Sequence, residues 1–217
     1  MDEVRIPAGR ATLDGNLKIV DQAKALVLFA HGSGSSRHSP RNQSVARRLN
    51  DAGLATLLFD LLTPDEEAVD LHTRKHRFNI NLLAERLLYA TKWAHEQAQT
   101  RHLRVSYFGS STGAAAALMA AAELPGEIDA VVSRGGRPDL AGDALPKVKA
   151  PTLLIVGGED HVVIGMNEEA RDQMRCEVKI DIVPGATHLF EESGALEHVS
   201  DVAADWFLLH AAGRALK

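Results

Sequence analysis

Gly109-Ser110-Ser111-Thr112-Gly113 is a G-x-S-x-G pentapeptide set between a strand-prone run, Val105 to Phe108, and an alanine-rich stretch that begins at Ala114. A serine hydroxyl is a poor nucleophile until a neighbouring imidazole takes its proton, and a tight strand-to-helix turn pushes it out where that can happen. Ser111 is the expected nucleophile. Gly109 and Gly113 suit a turn whose backbone closes against a neighbouring strand and helix, where a Cβ would collide. A helix starting directly after Ser111 also aims backbone N–H groups at the site, which favours a developing oxyanion. A chance match in a Gly/Ser turn is the bland alternative, and the flanking strand and helix argue against it.

A serine of this kind needs an acid and then a histidine, each on a loop after a later strand. Pro151 to Val156 reads as a buried strand that runs into Gly157-Gly158-Glu159-Asp160-His161-Val162-Val163, a glycine turn presenting two carboxylates. Asp160 is the expected acid. Glu159 competes with it, as does Asp139, which follows the preceding strand. The alternating run Val178 to Val183 ends in Pro184-Gly185-Ala186-Thr187-His188, and His188 is the expected base. The chain has 10 histidines, so this one is distinguished by its loop rather than by its type.

Four segments in order, Leu28-Phe29-Ala30-His31-Gly32-Ser33-Gly34, the elbow at Gly109 to Gly113, Gly157 to Val163 and Pro184 to Phe190, resemble an α/β-hydrolase. The branch they resemble most is that of dienelactone-hydrolase-like small serine esterases, and the likeness covers nearly the whole chain. The resemblance implies that Ser111 attacks an acyl carbon, that His188 relays the proton, and that Asp160 fixes the imidazole tautomer. It further implies an oxyanion hole built from the backbone N–H of Thr112 and that of Ser33, with Gly34 the nearest rival to Ser33. One departure matters. Dienelactone hydrolases proper use cysteine as nucleophile, whereas this elbow holds Ser111, which turns the expectation from lactones toward general esters or thioesters. The resemblance also includes relatives fused to a phosphoribosyltransferase, but no segment here reads as recognising a phosphoribosyl group.

Other polar residues have plainer readings. His31 is expected to order the oxyanion loop by hydrogen bonding. His72 and His76 share helical spacing, but without a third ligand at matching spacing they read as a solvated helix face. Arg134 and Arg137 have the chemistry to grip a substrate carboxylate, and a structural or surface role is the simpler expectation. No metal or organic cofactor is called for.

The elements that must position these residues alternate between strand and helix, which implies an α/β fold with a mostly parallel sheet covered on both faces. Val4 to Ile6 and Asn16 to Val20 read as an N-terminal antiparallel hairpin turning at Asp14-Gly15. Lys24 to Ala30 is the first central strand, followed by a helix opened by Ser39-Pro40 and ended near Gly53. Leu54 to Phe59 and Leu103 to Phe108 are further strands, with a helix on Ile80, Leu83, Ala84, Leu87 and Ala94 between them. The elbow helix is nearly all alanine and stops at Pro125-Gly126. Ile128 to Ser133 forms the next strand, and a closing helix carries Leu196, Val199, Ala203, Trp206, Phe207 and His210 on one face. Leu61 to Asn79 reads as a loop with an acidic head and a basic tail that walls the acyl pocket.

Composition bounds the rest. The 217 residues, 45% hydrophobic and 24% charged, suit one domain over 1–217. A net charge of −5 without a basic, aromatic-interleaved run argues against nucleic acid as partner. The single cysteine, Cys176, cannot form an internal disulfide and reads as structural. No basic-then-apolar leader and no long apolar span are evident, so a cytoplasmic location and no membrane partner are expected. About twenty residues separate the strands near Val131 and Leu153, too few for a helical cap, and an open site suits short acyl chains. The leading expectation is a serine carboxylesterase acting on small-molecule esters through an acyl-enzyme. A thioesterase, lactonase or acyltransferase with the same triad is the alternative in chemistry, and a non-catalytic binding module on a hydrolase fold is the alternative in kind.

Overall fold

A computed structural model describes residues 1–211 of the chain. Eight strands form one sheet in the order β1-β2-β4-β3-β5-β6-β7-β8. β1 (Asp2–Ala8) and β2 (Ala11–Lys18) pair antiparallel, and β2 meets β4 (Ala55–Phe59) antiparallel. β3 (Leu26–Ala30), β5 (Val105–Ser110), β6 (Ile128–Arg134), β7 (Thr152–Gly157) and β8 (Val178–Val183) then continue from β4 in parallel. β3, β4, β5, β6 and β7 are buried along their whole length, which is why they read as unbroken apolar runs rather than alternating ones.

The hairpin departs from expectation. Its turn is Gly9-Arg10, with Gly9 at φ +65°, and Asp14-Gly15 lies inside β2 opposite Arg5 and Val4. A positive φ at the first turn residue suits the tight connection that a right-twisted hairpin needs. Gly15 serves packing instead: a Cβ there would stand 3.1 Å from Val4 Cγ2 and 3.2 Å from Phe59 Cβ.

Alternate residues of the central strands feed two cores. One contains Leu28, Val105, Tyr107 and Val131 together with Leu83, Leu87 and the alanines of the elbow helix; the other contains Phe29, Phe108, Val132, Val45, Leu49, Val199 and Phe207. The first is covered by α3 (Ile80–Glu96) and α4 (Thr112–Glu123), the second by α1 (Pro40–Asp51) and α6 (Ala195–Ala211). Residues Ala114 to Leu118, Ala120 and Ala121 are all buried, so α4 is packed on every side and its small side chains let α3 and the sheet approach closely. Ser39 caps α1 by accepting the Asn42 N–H at 3.4 Å, with Pro40 at the first helical position.

The stretch expected to be a loop between Leu61 and Asn79 contains a helix, α2 (Pro64–Thr73). Thr63 Oγ1 accepts the Glu66 N–H at 3.2 Å, and Glu66 Oε2 accepts the Thr63 N–H at 2.8 Å. This reciprocal cap is encoded by Thr63-Pro64-Asp65-Glu66. α2 ends at Arg74, which adopts a left-handed conformation, so His72 lies on the helix and His76 beyond it, and the two share no helix face. Between β6 and β7 the chain forms a 3-10 segment (Pro138–Lys147), and α5 (His161–Gln173) links β7 to β8. Among the described residues no helix is long and apolar enough to cross a membrane.

Candidate active site

Ser111 sits between the last residue of β5 and the first of α4, at φ +51° and ψ −121°. A non-glycine residue rarely holds such a conformation, and its cost, about 1–3 kcal/mol, must be met by the surrounding packing. That packing is explicit. A Cβ on Gly109 would stand 2.4 Å from Ala114 Cα, and one on Gly113 would stand 2.1 Å from the Ala30 carbonyl oxygen. Both glycines are therefore required by contact, and together they let strand, turn and helix close on Ser111. Its carbonyl accepts the Arg137 N–H at 3.1 Å and its N–H reaches the Arg134 carbonyl at 3.3 Å. The Ser111 side chain makes no capping bond to the helix it precedes, so its hydroxyl is not committed to α4.

Asp160 and His188 come from the loops after the adjacent strands β7 and β8. Backbone bonds stitch these loops together: Gly158 N–H donates to the Val183 carbonyl at 2.8 Å and Glu159 N–H to the Ala186 carbonyl at 3.0 Å. His188 Nδ1 lies 2.7 Å from Asp160 Oδ2. A carboxylate only accepts, so Nδ1 carries a proton in this bond. Asp160 is a quarter or less exposed, at 18%, while His188 is 41% exposed and open to a ligand. A Cβ on Gly135, the residue after β6, would stand 3.6 Å from His188 Cε1. Because Arg134 opposes Ser110 in the β5–β6 register, this puts the imidazole beside the strand end that carries Ser111.

The rival acids stand elsewhere. Asp139 takes a two-pronged ion pair from Arg137, with Nε to Oδ1 at 2.8 Å and Nη2 to Oδ2 at 2.7 Å, and Glu159 is exposed. Arg137 is thereby committed to its neighbour, and Asp139 holds its guanidinium charged more firmly than usual. Arg134 is buried at 8% exposure, which suits the structural role rather than a surface one.

The expected oxyanion donors are linked to one another. Ser33 N–H donates to Thr112 Oγ1 at 3.1 Å, and the two hydroxyl oxygens are 2.9 Å apart. Ser33 Oγ donates to the Arg77 carbonyl at 3.1 Å, so its one proton is used and it must accept from Thr112. The Ser33 N–H is thus held by the Thr112 hydroxyl. Thr112, at the first turn of α4, has a hydroxyl that fits against the Ser33 loop. His31 orders that loop as expected: Nε2 accepts the Leu61 N–H at 3.0 Å and Nδ1–H donates to the Gly32 carbonyl at 3.0 Å. Burial holds the His31 imidazole below its ordinary pKa, and the Gly32 carbonyl only partly offsets this.

Sequence reading passed over the support behind Arg77. Asp70, buried at 2% exposure, accepts the backbone N–H groups of His76 at 2.6 Å and Arg77 at 3.0 Å and pairs with the Arg77 guanidinium. These bonds outweigh the desolvation that alone would raise its pKa, and the carboxyl lies below the usual value. The available signal was the Thr63 capping box, which fixes α2 and hence where Asp70 falls.

An eight-stranded sheet with the strained Ser111 turn after β5, Asp160 after β7 and His188 after β8 can be set beside known proteins. The chain matches the model of the dienelactone hydrolase family over residues 13–207. It is 54% identical over 212 residues to proteins from two strains of Mycobacterium tuberculosis, each named "Putative phosphoribosyl transferase", covering 98% of this chain and 47% of each relative. The chain thus spans about half the length of those relatives. Among solved structures, a dienelactone hydrolase from Anabaena variabilis superimposes with a TM-score of 0.95 at 58% identity, over 96% of this chain and 97% of that one. Est1E from Butyrivibrio proteoclasticus shares the fold, at a TM-score of 0.80 and 18% identity over 98% and 99% of the two chains. With the family model spanning β2 to α6 and a close structural match at high identity, the chain belongs to the dienelactone hydrolase family.

Proposed function

We propose that the chain is a serine hydrolase that cleaves short-chain carboxylic esters through an acyl-enzyme. The reading rests above all on the 2.7 Å bond between His188 Nδ1 and Asp160 Oδ2, made on a loop that brings the imidazole to the end of the strand carrying Ser111. Ser111 Oγ attacks the acyl carbon while His188 Nε2 takes its proton. The tetrahedral oxyanion is met by the Thr112 N–H and by Ser33 N–H once Thr112 Oγ1 yields it. Collapse expels the alkoxide, which His188 protonates, and water then repeats the sequence on the acyl-enzyme. Asp160 keeps the imidazole in one tautomer and stabilises the transient imidazolium.

A cleft lined by Gly32, Ser33, Gly34, Asp60, Leu62 and Arg77 opens beside the Ser33 loop, and neither Ser111 nor His188 lines it. A 3-10 segment of only ten residues between β6 and β7, too short to form a cap, favours short acyl groups. Rates across p-nitrophenyl esters of increasing acyl length, with Ser111→Ala as control, test this. Activity peaking at two to four carbons and abolished by the substitution is expected; Ser111-independent hydrolysis would overturn it. Lactone hydrolysis is a second reading, favoured by the 58% identity to a protein named a dienelactone hydrolase, and lactones belong in the same panel. Phosphoribosyl transfer is a name attached to relatives about twice as long and is not assigned to this site.

A further inference from the structure

Arg134 is a costly residue to keep where it is. Its side chain ends β6 on the face covered by α1 and α6, with 8% exposure. Nε and Nη1 are buried without hydrogen-bond partners, and Nη2 has only Asn42 Oδ1, at 3.5 Å. Ser110 Oγ shares that same amide oxygen at 3.2 Å. The charge that acts on it is like in sign: Arg41, which is itself paired with Glu191 at 3.0 Å. Desolvation first, and Arg41 second, pull the guanidinium pKa down to about 10. Buried charges normally have a paired counter-ion, and a well-packed apolar side chain of the same size would be at least as stable here. Because the group is covered, it does not present its charge to a ligand.

What the guanidinium lies over is the Phe190 ring. Arg134 Cζ lies 5.9 Å from the centre of the Phe190 ring, within range of a cation–π contact, which strengthens when desolvated. Phe190 is 1% exposed and holds a left-handed backbone, φ +55°, which an aromatic residue adopts only under constraint. Its N–H closes a turn onto the Thr187 carbonyl at 3.2 Å, with His188 inside that turn. A Cβ on Gly135 would meet Phe190 Cε2 at 3.3 Å and His188 Cε1 at 3.6 Å, so both rings rest over the residue that follows Arg134. The strained anchor of the base-bearing loop is therefore clamped between Gly135 and the Arg134 guanidinium.

We infer that Arg134 is a positioning residue: it holds His188 in register with Ser111 by fixing Phe190, the left-handed end of the His188 turn. The inference rests on the reading of Ser111, His188 and Asp160 as a catalytic triad. The planar face of the guanidinium carries the effect, so a lysine, which keeps the charge and loses the face, does not substitute for it.

The test combines kinetics, stability and a spectroscopic probe on wild type, Arg134→Met, Arg134→Lys, Phe190→Leu and the double variant Arg134→Met/Phe190→Leu. Arg134→Met is expected to lower kcat for p-nitrophenyl acetate tenfold or more with KM within threefold, while Tm holds or rises because an unpaired buried charge has been removed. Arg134→Lys should be similarly impaired. The double variant should be no worse than the poorer single one, as residues acting through one contact are not additive. The downfield NMR proton shared by His188 and Asp160 should broaden in Arg134→Met. A wild-type kcat and an unchanged downfield proton would overturn the inference, as would a kcat loss that follows a fall in Tm. Ser111→Ala run in parallel separates the two levels. Full activity in that variant defeats the triad reading itself, and the downfield proton still reports whether Arg134 holds the His188 turn.

Discussion

The Ser33 N–H and the Thr112 hydroxyl are joined at 3.1 Å, so a donor proposed for the acyl oxyanion is already held by a side chain at the foot of α4. A preorganised donor is most useful when nothing must move to free it. Thr112→Val keeps the shape and removes the competing acceptor. One hydrogen bond exchanged is worth about 1 kcal/mol, so kcat for p-nitrophenyl acetate should rise by up to about fivefold, with a comparable loss of stability. Steady-state kinetics and a urea melt read both. A drop in kcat would mean that the hydroxyl donates to the oxyanion, and the assignment of Ser33 would fall with it.

Asp160 and Asp139 offer a direct choice between two acids. Only Asp160 meets His188, at 2.7 Å, whereas Asp139 is bound to Arg137. Asp160→Asn should therefore cut kcat by about 10⁴-fold through loss of the correct imidazole tautomer, with little change in KM. Asp139→Asn should stay within about threefold of wild type, since what it loses is a partly exposed ion pair. The reverse ranking would transfer the role to Asp139.

Much of this site was legible because its chemistry depends on local backbone geometry, which restricts sequence sharply. Gly109 and Gly113 are demanded by contacts of 2.4 Å and 2.1 Å, and Asp160 and His188 by loops that follow adjacent strands. What escaped was set by tertiary contact. Asp14-Gly15 has the composition of a hairpin turn, yet Gly15 is fixed by the approach of Phe59 from β4, distant in sequence. Asp70 looks like one more acid in a charged run until α2 turns it inward onto Arg77. The pairing of Ser33 with Thr112 spans 79 residues, and no spacing rule reaches across that distance.

Glycine substitutions should divide sharply. Gly113→Ala would drive a methyl group to within 2.1 Å of the Ala30 carbonyl oxygen, and no flexible side chain is there to yield. We expect a loss of at least about 3 kcal/mol, or no soluble protein at all. Gly165, within α5, has nothing within 4 Å of its would-be Cβ and no positive φ. Gly165→Ala should stabilise by about 0.5–1 kcal/mol, because alanine loses less backbone entropy in a helix. Thermal melts of the two variants suffice, and a destabilised Gly165→Ala would show that α5 is not helical there.

His31 makes stability depend on pH in one direction. Its folded pKa lies below the ordinary 6.5, chiefly through burial, so the unfolded chain binds the extra proton first as pH falls. The stabilisation is complete above about 6.5 and is lost progressively as pH drops toward the folded pKa, where protonated Nε2 can no longer accept the Leu61 N–H. His31→Gln offers an acceptor for Leu61 and a donor for Gly32 without titrating in that range. The stability difference between wild type and His31→Gln, measured by denaturant unfolding, should therefore be flat from pH 7 to 8 and move against wild type between pH 6.5 and 5. A difference that stays constant across both ranges would mean that the imidazole titrates alike in the folded and unfolded chain. The His31–Gly34 loop would then owe nothing to a neutral His31.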